Sequence, residues 1–257
     1  MFGFAIKKSF YDLWDNMFAI GLLNLGFILS LALPLLLPAF VDAGTVGTLA
    51  LCAAAVAWCC VYLATSLRVV HPVSDHGSID LKAFPAALAS SWKRGLALAL
   101  VLIAWLVTAS LVLPFYAGMG NLFGLFAGAL AFWILVTLAL ALQFFLSASV
   151  RLPGGAFKIL KKCFLLFMDN PLFSLLAAMV GAVLLALSLL LALLFPGPVG
   201  VLLFLDEALR LRLKKYDYLE AQPDADRRRI PWAELLEEDR ELVGTRSLRS
   251  FIFPWKD

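Results

Sequence analysis

The sequence predicts an all-α, polytopic membrane protein with six helical spans, the sixth of them short. Of the 257 residues, 63% are hydrophobic and 15% are charged, whereas a soluble domain carries about 25% charged residues. The charges are also clustered, and none interrupts residues 16–41, 43–67, 95–150 or 170–205. Because a helix crosses a bilayer with about 20 apolar residues, the first two stretches accommodate one span each and the third accommodates two. The fourth accommodates one full span and one short span.

The positions of the basic residues predict that both ends of the chain lie in the cytoplasm. Loops on the cytoplasmic side of a membrane are enriched in Lys and Arg. All 21 of these residues fall in the segments that this arrangement places inside, which are 7–8, 68–94, 151–162 and 210–256. The loops that it places outside, near Asp42, Gly118 and Gly197, contain none. The orientation of the chain in the membrane thus explains its surplus of basic residues. The net charge of +3 is modest and indicates no nucleic-acid partner.

An internal repeat divides the predicted transmembrane domain, residues 1–220, into three tandem parallel units of about 1–70, 80–152 and 156–220. Each unit begins with an amphipathic segment whose apolar residues recur at helical spacing, and it continues as a two-span hairpin. The hairpins close on a shared pattern of aromatic, Leu, two variable residues, a small residue, Leu or Val, and Arg. This pattern ends at Arg68, Arg151 and Arg210. Because every unit begins and ends on the same side, the repeat axis is expected to lie along the membrane normal.

The amphipathic segments are predicted to be short helices in the membrane interface. Their apolar faces would contact acyl chains or the bundle, and basic groups such as Lys7 and Lys8 would point to the headgroups. The second of these segments is residues 81–92. In the first and third units, the passage into the long span is marked by Asp15-Asn16 and Asp169-Asn170.

Several features of residues 1–215 together resemble a known family. An amphipathic N-terminal helix runs into a span that bears Asn24 and closes in a Leu-Pro stretch, and the fourth span ends in residues 143–146, Gln-Phe-Phe-Leu. An amphipathic segment, residues 156–167, then leads to Asn170. These features are similar to those of the YesL-like bacterial membrane proteins, a family of unknown function. The resemblance implies location in the bacterial cytoplasmic membrane, an association with sugar-uptake genes in some members, and no catalytic residues.

Polar residues inside the predicted spans are the first candidates for a functional site. The candidates in the first four spans are Asn24, Thr108 and Gln143. Interhelical hydrogen bonds are the usual role of such groups, and the alternative is that they line a central cavity between the three units. No charge interrupts the first five predicted spans, which disfavours a pump or an ion-coupled transporter.

The sixth span carries the other candidates, Asp206, Glu207 and Arg210. Because so few apolar residues separate the two acids from the Pro-Gly-Pro turn at 196–198, this helix either enters the membrane only partway or carries both acids inward. We expect one helix over about residues 198–218, and an ion pair between Asp206 and Arg210 one turn later.

Two further motifs have simple interpretations. The residues Gly120, Gly124 and Gly128 form a small-x-x-x-small ladder at the start of the fourth span, which favours close packing within the chain or, alternatively, a dimer contact. The His71, Asp75 and His76 side chains are too few for a metal site and are expected in a solvated loop. With no phosphate-binding glycine motif or nucleophile elbow, the sequence predicts no cofactor, no metal, no catalytic residue and no enzymatic activity.

Residues 221–257 are predicted to form a cytoplasmic tail with a short helix between Pro231 and Gly244 and an aromatic C-terminus. The large aromatic residues expected to dock it are Trp232, Phe251, Phe253 and Trp255. So many apolar groups in a terminal stretch are not stable in water, so we expect them to contact the bundle, the lipid headgroups or a partner protein.

Two functional hypotheses follow from these features. The first is a non-enzymatic membrane protein that acts as an accessory or scaffold for a transport or envelope assembly, contacting the bilayer and, through its tail, another membrane or cytoplasmic protein. The alternative is a small permease or channel for a neutral or amphipathic solute. A hydrated cavity along the axis would favour the second hypothesis.

Overall fold

The computed structural model describes residues 1–40, 44–222, 226 and 230–244, and within them all regular secondary structure is helical, as predicted. The first helices are α1 (Phe2–Asp15), α2 (Met17–Phe40), α3 (Gly44–Ser74), α4 (Phe84–Gly118, after a 3₁₀ turn at Leu81–Ala83) and α5 (Leu122–Leu142). The others are α6 (Phe145–Arg151), α7 (Ala156–Asp169), α8 (Pro171–Leu190), α9 (Gly197–Ala221), α10 (Trp232–Leu235) and α11 (Glu237–Val243).

Four segments are long and apolar enough to cross a membrane: Gly44–Ser74, Leu81–Gly118, Leu122–Arg151 and Pro171–Leu190. A fifth is added if α1 and residues Met17–Ala32 of α2, which meet at an angle of 82°, are counted as one span. Length and composition therefore give four or five candidate spans, against the six predicted. The predicted sixth span, α9, does not qualify because its second half is rich in charged residues.

Helix α9 is the central element of the bundle. Nearly every side chain from Val199 to Leu211 is buried, and this stretch packs against α1, α2, α3, α6 and α8. Its observed bounds agree with the single helix predicted over residues 198–218. A helix whose first half is buried on all sides is held by its neighbours, so the acids Asp206 and Glu207 must find partners on them.

The outer faces of α4, α5 and α8 are apolar and exposed. Examples are Leu100, Phe126 and Leu190, which are 70%, 70% and 80% exposed. A belt of this extent is not stable against water, and it fits contact with acyl chains. The chain is thus an all-helical, membrane-embedded protein.

The predicted interfacial helices differ between the units. Separate amphipathic helices, α1 and α7, end at Asp15 and Asp169, and after one asparagine each is followed by a long apolar helix. The predicted second amphipathic segment, residues 81–92, is instead mostly the first part of the unbroken α4. The reason is local, because Lys93-Arg94 occupies the place of the Asp-Asn pair and offers no residue that interrupts a helix.

The predicted glycine ladder is only partly helical. Gly120 lies in the α4–α5 turn with φ of +60°, before α5 begins. Gly124 and Gly128 both face Tyr116 of α4, so they pack within their own hairpin. An equally close backbone approach joins α4 to α3, because a Cβ added at Gly95 would lie 2.6 Å from the Cα atom of Val61.

Candidate functional site: a polar network at the basic end of the bundle

One end of the bundle, called the basic end below, collects α1, α6, the last turn of α3 and α9 from Asp206 onward. Asp206 is at its centre and is fully buried. Arg151 donates to it through both sides of its guanidinium group, with Nε 2.8 Å from Oδ1 and Nη2 2.6 Å from Oδ2. His71 Nδ1 donates to Oδ2 at 2.8 Å, and Ser74 Oγ donates to the same atom at 2.5 Å. We call these four residues the Asp206 cluster.

The prediction of an ion pair between Asp206 and Arg210 is wrong. Arg210 binds two other carboxylates, with Nε 2.7 Å from Asp75 Oδ1 and Nη1 2.8 Å from Asp239 Oδ1. Asp206 faces α3 and α6, where the guanidinium group of Arg151 reaches it, whereas Arg210 lies one turn nearer the end of the bundle and faces the tail. Asp75 connects the two arginines, because it also lies 3.3 Å from Arg151 Nη1.

Asp75 and His76 lie in an exposed turn after α3, as expected, whereas His71 does not lie in a loop. His71 is in the last turn of α3 and binds Asp206, and His76 Nε2 lies 3.2 Å from Asp239 Oδ1. In the described parts of the chain, no group of three or more His, Cys, Asp or Glu side chains has an arrangement that could hold a metal ion. Both histidines therefore act here as hydrogen-bond partners of buried carboxylates.

A second set of buried charges attaches α1 to α9. Glu207 is fully buried and accepts a hydrogen bond from Ser9 Oγ. Lys8, which is also fully buried, lies with Nζ 3.6 Å from Glu207 Oε1 and is paired with Asp12. The prediction that Lys8 points to the lipid headgroups is wrong, because α1 packs with this residue against α9, where Glu207 offers a buried partner.

The tail is docked on the basic end through Asp239. This side chain is 1% exposed and binds Arg210 at 2.8 Å and Lys214 Nζ at 2.7 Å, in addition to His76. Burial raises the pKa of the Asp239 carboxyl, but hydrogen bonds from Lys214 and Arg210 outweigh this effect and lower the pKa from 3.8 to about 2. The carboxylate is therefore charged at neutral pH and holds α11 against α9.

Apolar contacts support the same docking. Leu236, between α10 and α11, is fully buried in a small cluster with Ala5 of α1 and Leu211 of α9, and Trp232 packs against this cluster. The segment between Pro231 and Gly244 is helical, as predicted, but it forms two short helices, α10 and α11, in place of one. The other predicted docking residues, Phe251, Phe253 and Trp255, lie outside the described residues.

Asn24 stabilises the start of α9. It is fully buried, and its Nδ2 donates to the carbonyl oxygens of Leu194 and Pro196 at 3.0 and 2.9 Å. Its Oδ1 accepts from the backbone N–H of Val199 at 3.0 Å, which caps a helix N-terminus that would otherwise lack a partner. The side chain fits closely, because a Cβ added at Gly197 would lie 2.1 Å from Asn24 Nδ2.

The other predicted polar candidates, Gln143 and Thr108, bind different parts of the bundle from those that Asn24 binds. Gln143 Nε2 donates to the carbonyl oxygens of Leu140 and Ser174 at 2.9 and 2.8 Å, which joins the end of α5 to α8. Thr108 is exposed on the outside of α4 and donates to the carbonyl oxygen of Ala104 in its own helix at 2.7 Å. The structure thus does not bring Asn24, Thr108 and Gln143 together around one cavity.

A half-open crevice of about 350 Å³ lies between α3, α4, α5 and α9. Its walls are mainly apolar side chains such as Leu63, Leu98 and Leu202, and Gln143 lies at one wall. An apolar space of this kind does not hold a chain of water molecules. It therefore gives no support for a polar solute path.

The network as a whole is a set of ion pairs that connect α1, α3, α6, α9 and the tail. Sequence reasoning identified Asp206, Glu207 and Arg210 but missed Lys8, Ser9, Ser74 and Asp239. The available signals were two acids after a long apolar stretch and the His-Pro-x-x-Asp-His sequence at 71–76. No family model, curated protein or solved structure matches this chain.

Proposed function

We propose that this protein is a non-enzymatic membrane protein that serves as an accessory or scaffold for a transport or envelope assembly. The observation that carries the proposal is that the charged residues at the basic end bind one another and hold a tail segment in a fixed position. Asp206 accepts hydrogen bonds from Arg151, His71 and Ser74, which hold its carboxylate in a fixed position. Such a network is suited to rigidity rather than turnover.

The proposal includes a topology. We place the chain in the bacterial cytoplasmic membrane with three tandem units, six spans and both ends inside, the sixth span being the buried first half of α9. The segregation of all 21 basic residues supports it, as does the gathering of Lys8, Arg151 and Arg210 at one end of the bundle. Kinship with the YesL-like proteins remains a prediction from the motifs quoted above.

The surface offered to a partner is the docked tail. Because Asp239 and Leu236 face the bundle and are buried, the opposite side of α10 and α11 is exposed, with residues such as Glu234, Glu238 and Glu241. A rigid surface binds a partner at a lower entropic cost than a mobile tail does. Docking of the tail is therefore the condition on which this function depends.

Chemical crosslinking in membranes followed by affinity purification of the full chain tests the proposal. We expect the wild type to recover a defined partner protein in a fixed ratio. The Asp239→Asn variant should recover at least tenfold less, because it undocks the tail. The control is Glu220→Gln, which removes an exposed acid of α9, outside the surface formed by α10 and α11, and should behave as the wild type.

Two results would contradict the proposal. One is equal recovery of the partner with Asp239→Asn and with the wild type, or recovery of the chain by itself in every case. The other is flux of a neutral solute through vesicles reconstituted with the purified protein, which would favour a permease.

A further inference from the structure

A half-open pocket of about 340 Å³ lies between α6, α7 and α9. Its walls are mainly apolar and include Ala148 of α6, Leu166 of α7, and Leu209 and Leu213 of α9. Ligand pockets in proteins commonly measure about 300–1,000 Å³ and combine apolar walls with a few polar groups. None of the described residues that line this pocket belongs to the Asp206 cluster, and the function proposed above does not use it.

The two ends of this pocket differ in charge. Lys162 and Asp169 both line it, and at 1.5 Å per residue they are about 10 Å apart along the axis of α7. Asp169 is bound within the chain, because Tyr216 OH donates to it at 2.7 Å and Lys215 Nζ lies 3.5 Å from it. Lys162 Nζ donates to the carbonyl oxygen of Pro153 at 3.2 Å, and it forms no ion pair with a carboxylate of the described residues. The positive charge at this end is therefore not neutralised by the described part of the chain.

Helix α7 has the composition of a helix at a membrane surface. Lys158 and Lys161 are exposed and, like Lys162, form no ion pair within the residues that the structure describes. The apolar residues Phe164 and Leu165 of the same helix are 43% and 55% exposed. Basic and apolar groups exposed together on one helix favour a position between anionic headgroups and acyl chains. Lipids are thus the molecules that this pocket meets first.

The lining of the pocket determines which kind of molecule fits it. Apolar walls are stabilised by contact with an apolar group rather than with water, and the ammonium group at one end attracts an anion. A soluble anion offers nothing to the apolar walls, and a zwitterionic lipid brings a second cation next to Lys162. A phospholipid with an anionic headgroup matches both parts of the pocket. The carboxylate of Asp169 repels an anion from the other end, which fixes the direction in which the lipid lies.

We propose that this pocket binds one acyl chain of an anionic phospholipid, whose phosphate lies at the ammonium group of Lys162. The acyl chain contacts Leu166 of α7 and Leu209 and Leu213 of α9, so that the lipid joins these two helices. The proposal is independent of the function given above, because a scaffold and a permease would both accommodate such a lipid.

The charged end is tested by native mass spectrometry of the full chain in detergent with added phosphatidylglycerol or phosphatidylcholine of the same acyl chains. We expect phosphatidylglycerol to bind at least tenfold more tightly than phosphatidylcholine. The Lys162→Gln variant should lose this preference. The matched control is Lys161→Gln, which removes the same charge from the neighbouring residue, outside the lining of the pocket, and should keep the wild-type preference.

The apolar walls are tested by Leu213→Trp, which fills the pocket and retains the charge of Lys162. This variant should bind phosphatidylglycerol at least tenfold more weakly than the wild type does. Leu172→Trp, which places the same side chain on an exposed position of α8, should bind it as the wild type does. Thermal unfolding of each variant without added lipid checks that it folds.

Four outcomes would overturn the proposal. Equal binding of the two lipids would show that the headgroup charge has no role, and equal losses in Lys162→Gln and Lys161→Gln would show only a general attraction to basic residues. Unchanged binding in Leu213→Trp would place the acyl chain elsewhere and leave the pocket to another occupant, such as a further segment of this chain. Displacement of the lipid by free glycerol phosphate at equal concentration would indicate a soluble ligand.

Discussion

Asp206 is a fully buried carboxylate whose desolvation is offset by donors from three residues on two neighbouring helices. A guanidinium group that donates through two nitrogens matches the two carboxylate oxygens and gives one of the stronger ion pairs found in proteins. Arg151 is itself only 10% exposed. Removing either partner would leave the other as a buried charge without its counterion, which is far more costly than the loss of an exposed pair.

We predict that Asp206→Asn and Arg151→Gln each lower the free energy of unfolding by about 3–5 kcal/mol, the cost of breaking a buried pair. The double variant should lose clearly less than the sum of the two, because the second change removes a charge that the first has left unpaired. The measurement is unfolding in detergent of the two single variants and the double variant.

The exposed Arg68 provides the control for this cycle. Arg68→Gln should cost about 1 kcal/mol or less, and its effect should add to that of Asp206→Asn. Strict additivity of Asp206→Asn and Arg151→Gln would show that the two side chains are not coupled, and the geometry of the cluster would then be wrong.

At the scale of the element, α9 shows what the sequence can predict. The bounds of this helix follow from the turn at 196–198 and from its continuous helix-forming residues, and its central position follows from the apolar character of residues 199–205. The repeat did not predict that α4 is unbroken. It is defined by the spacing of apolar residues, and this spacing does not show whether a residue that interrupts a helix is present. The Asp-Asn pair ends α1 and α7, whereas Lys93-Arg94 at the corresponding place lies inside the continuous helix α4.

The candidate site was predictable only in part. Two acids after a long apolar stretch require partners, so Asp206 and Glu207 can be identified from sequence. Their partners cannot, because Lys8, His71 and Arg151 come from distant parts of the chain, and no periodicity relates them to α9. The nearest arginine in sequence, Arg210, faces the tail, since residues four apart share a helix face only approximately.

The tail helices provide the prediction at this scale. Asp239 faces Arg210 and Lys214 on α9 and His76 after α3, and hydrogen bonds to charged groups contribute about 1.5–3 kcal/mol. We predict that Asp239→Asn increases hydrogen exchange of residues 232–243 by about ten- to one-hundredfold at pH 7. Glu238→Gln, an exposed neighbour, should leave this exchange unchanged.

The pH dependence has a definite sign. Because the pKa of Asp239 is lowered from 3.8 to about 2 on folding, its contribution to docking is complete above pH 4 and is lost as the pH falls towards 2. Acid should therefore release the tail of the wild type in this range. The difference in exchange between the wild type and Asp239→Asn should shrink over the same interval, and a difference that persists at pH 2 would contradict the assignment.

At the scale of the whole molecule, the two ends of the bundle differ in chemistry. The basic end holds the Asp206 cluster, the pair of Lys8 and Glu207, and the docked tail. At the other end, the first residues of α5 are apolar and exposed, such as Leu122 and Phe123, which are 85% and 66% exposed. A membrane protein with this asymmetry has one preferred orientation, because basic residues are retained in the cytoplasm during insertion.

Cysteine labelling with a membrane-impermeant maleimide tests that orientation in a variant whose four native cysteines are replaced by Ala. We predict that Gly118→Cys and Leu191→Cys, in the turns after α4 and α8, react from outside intact cells. Ser78→Cys and Glu241→Cys, near the basic end, should react only after the membrane is permeabilised. Gly197 is unsuitable as a probe, because its φ is +67° and an added Cβ would meet Asn24. External labelling at Glu241 would place the tail outside and leave five spans, whereas internal labelling requires that α9 return the chain to the cytoplasm.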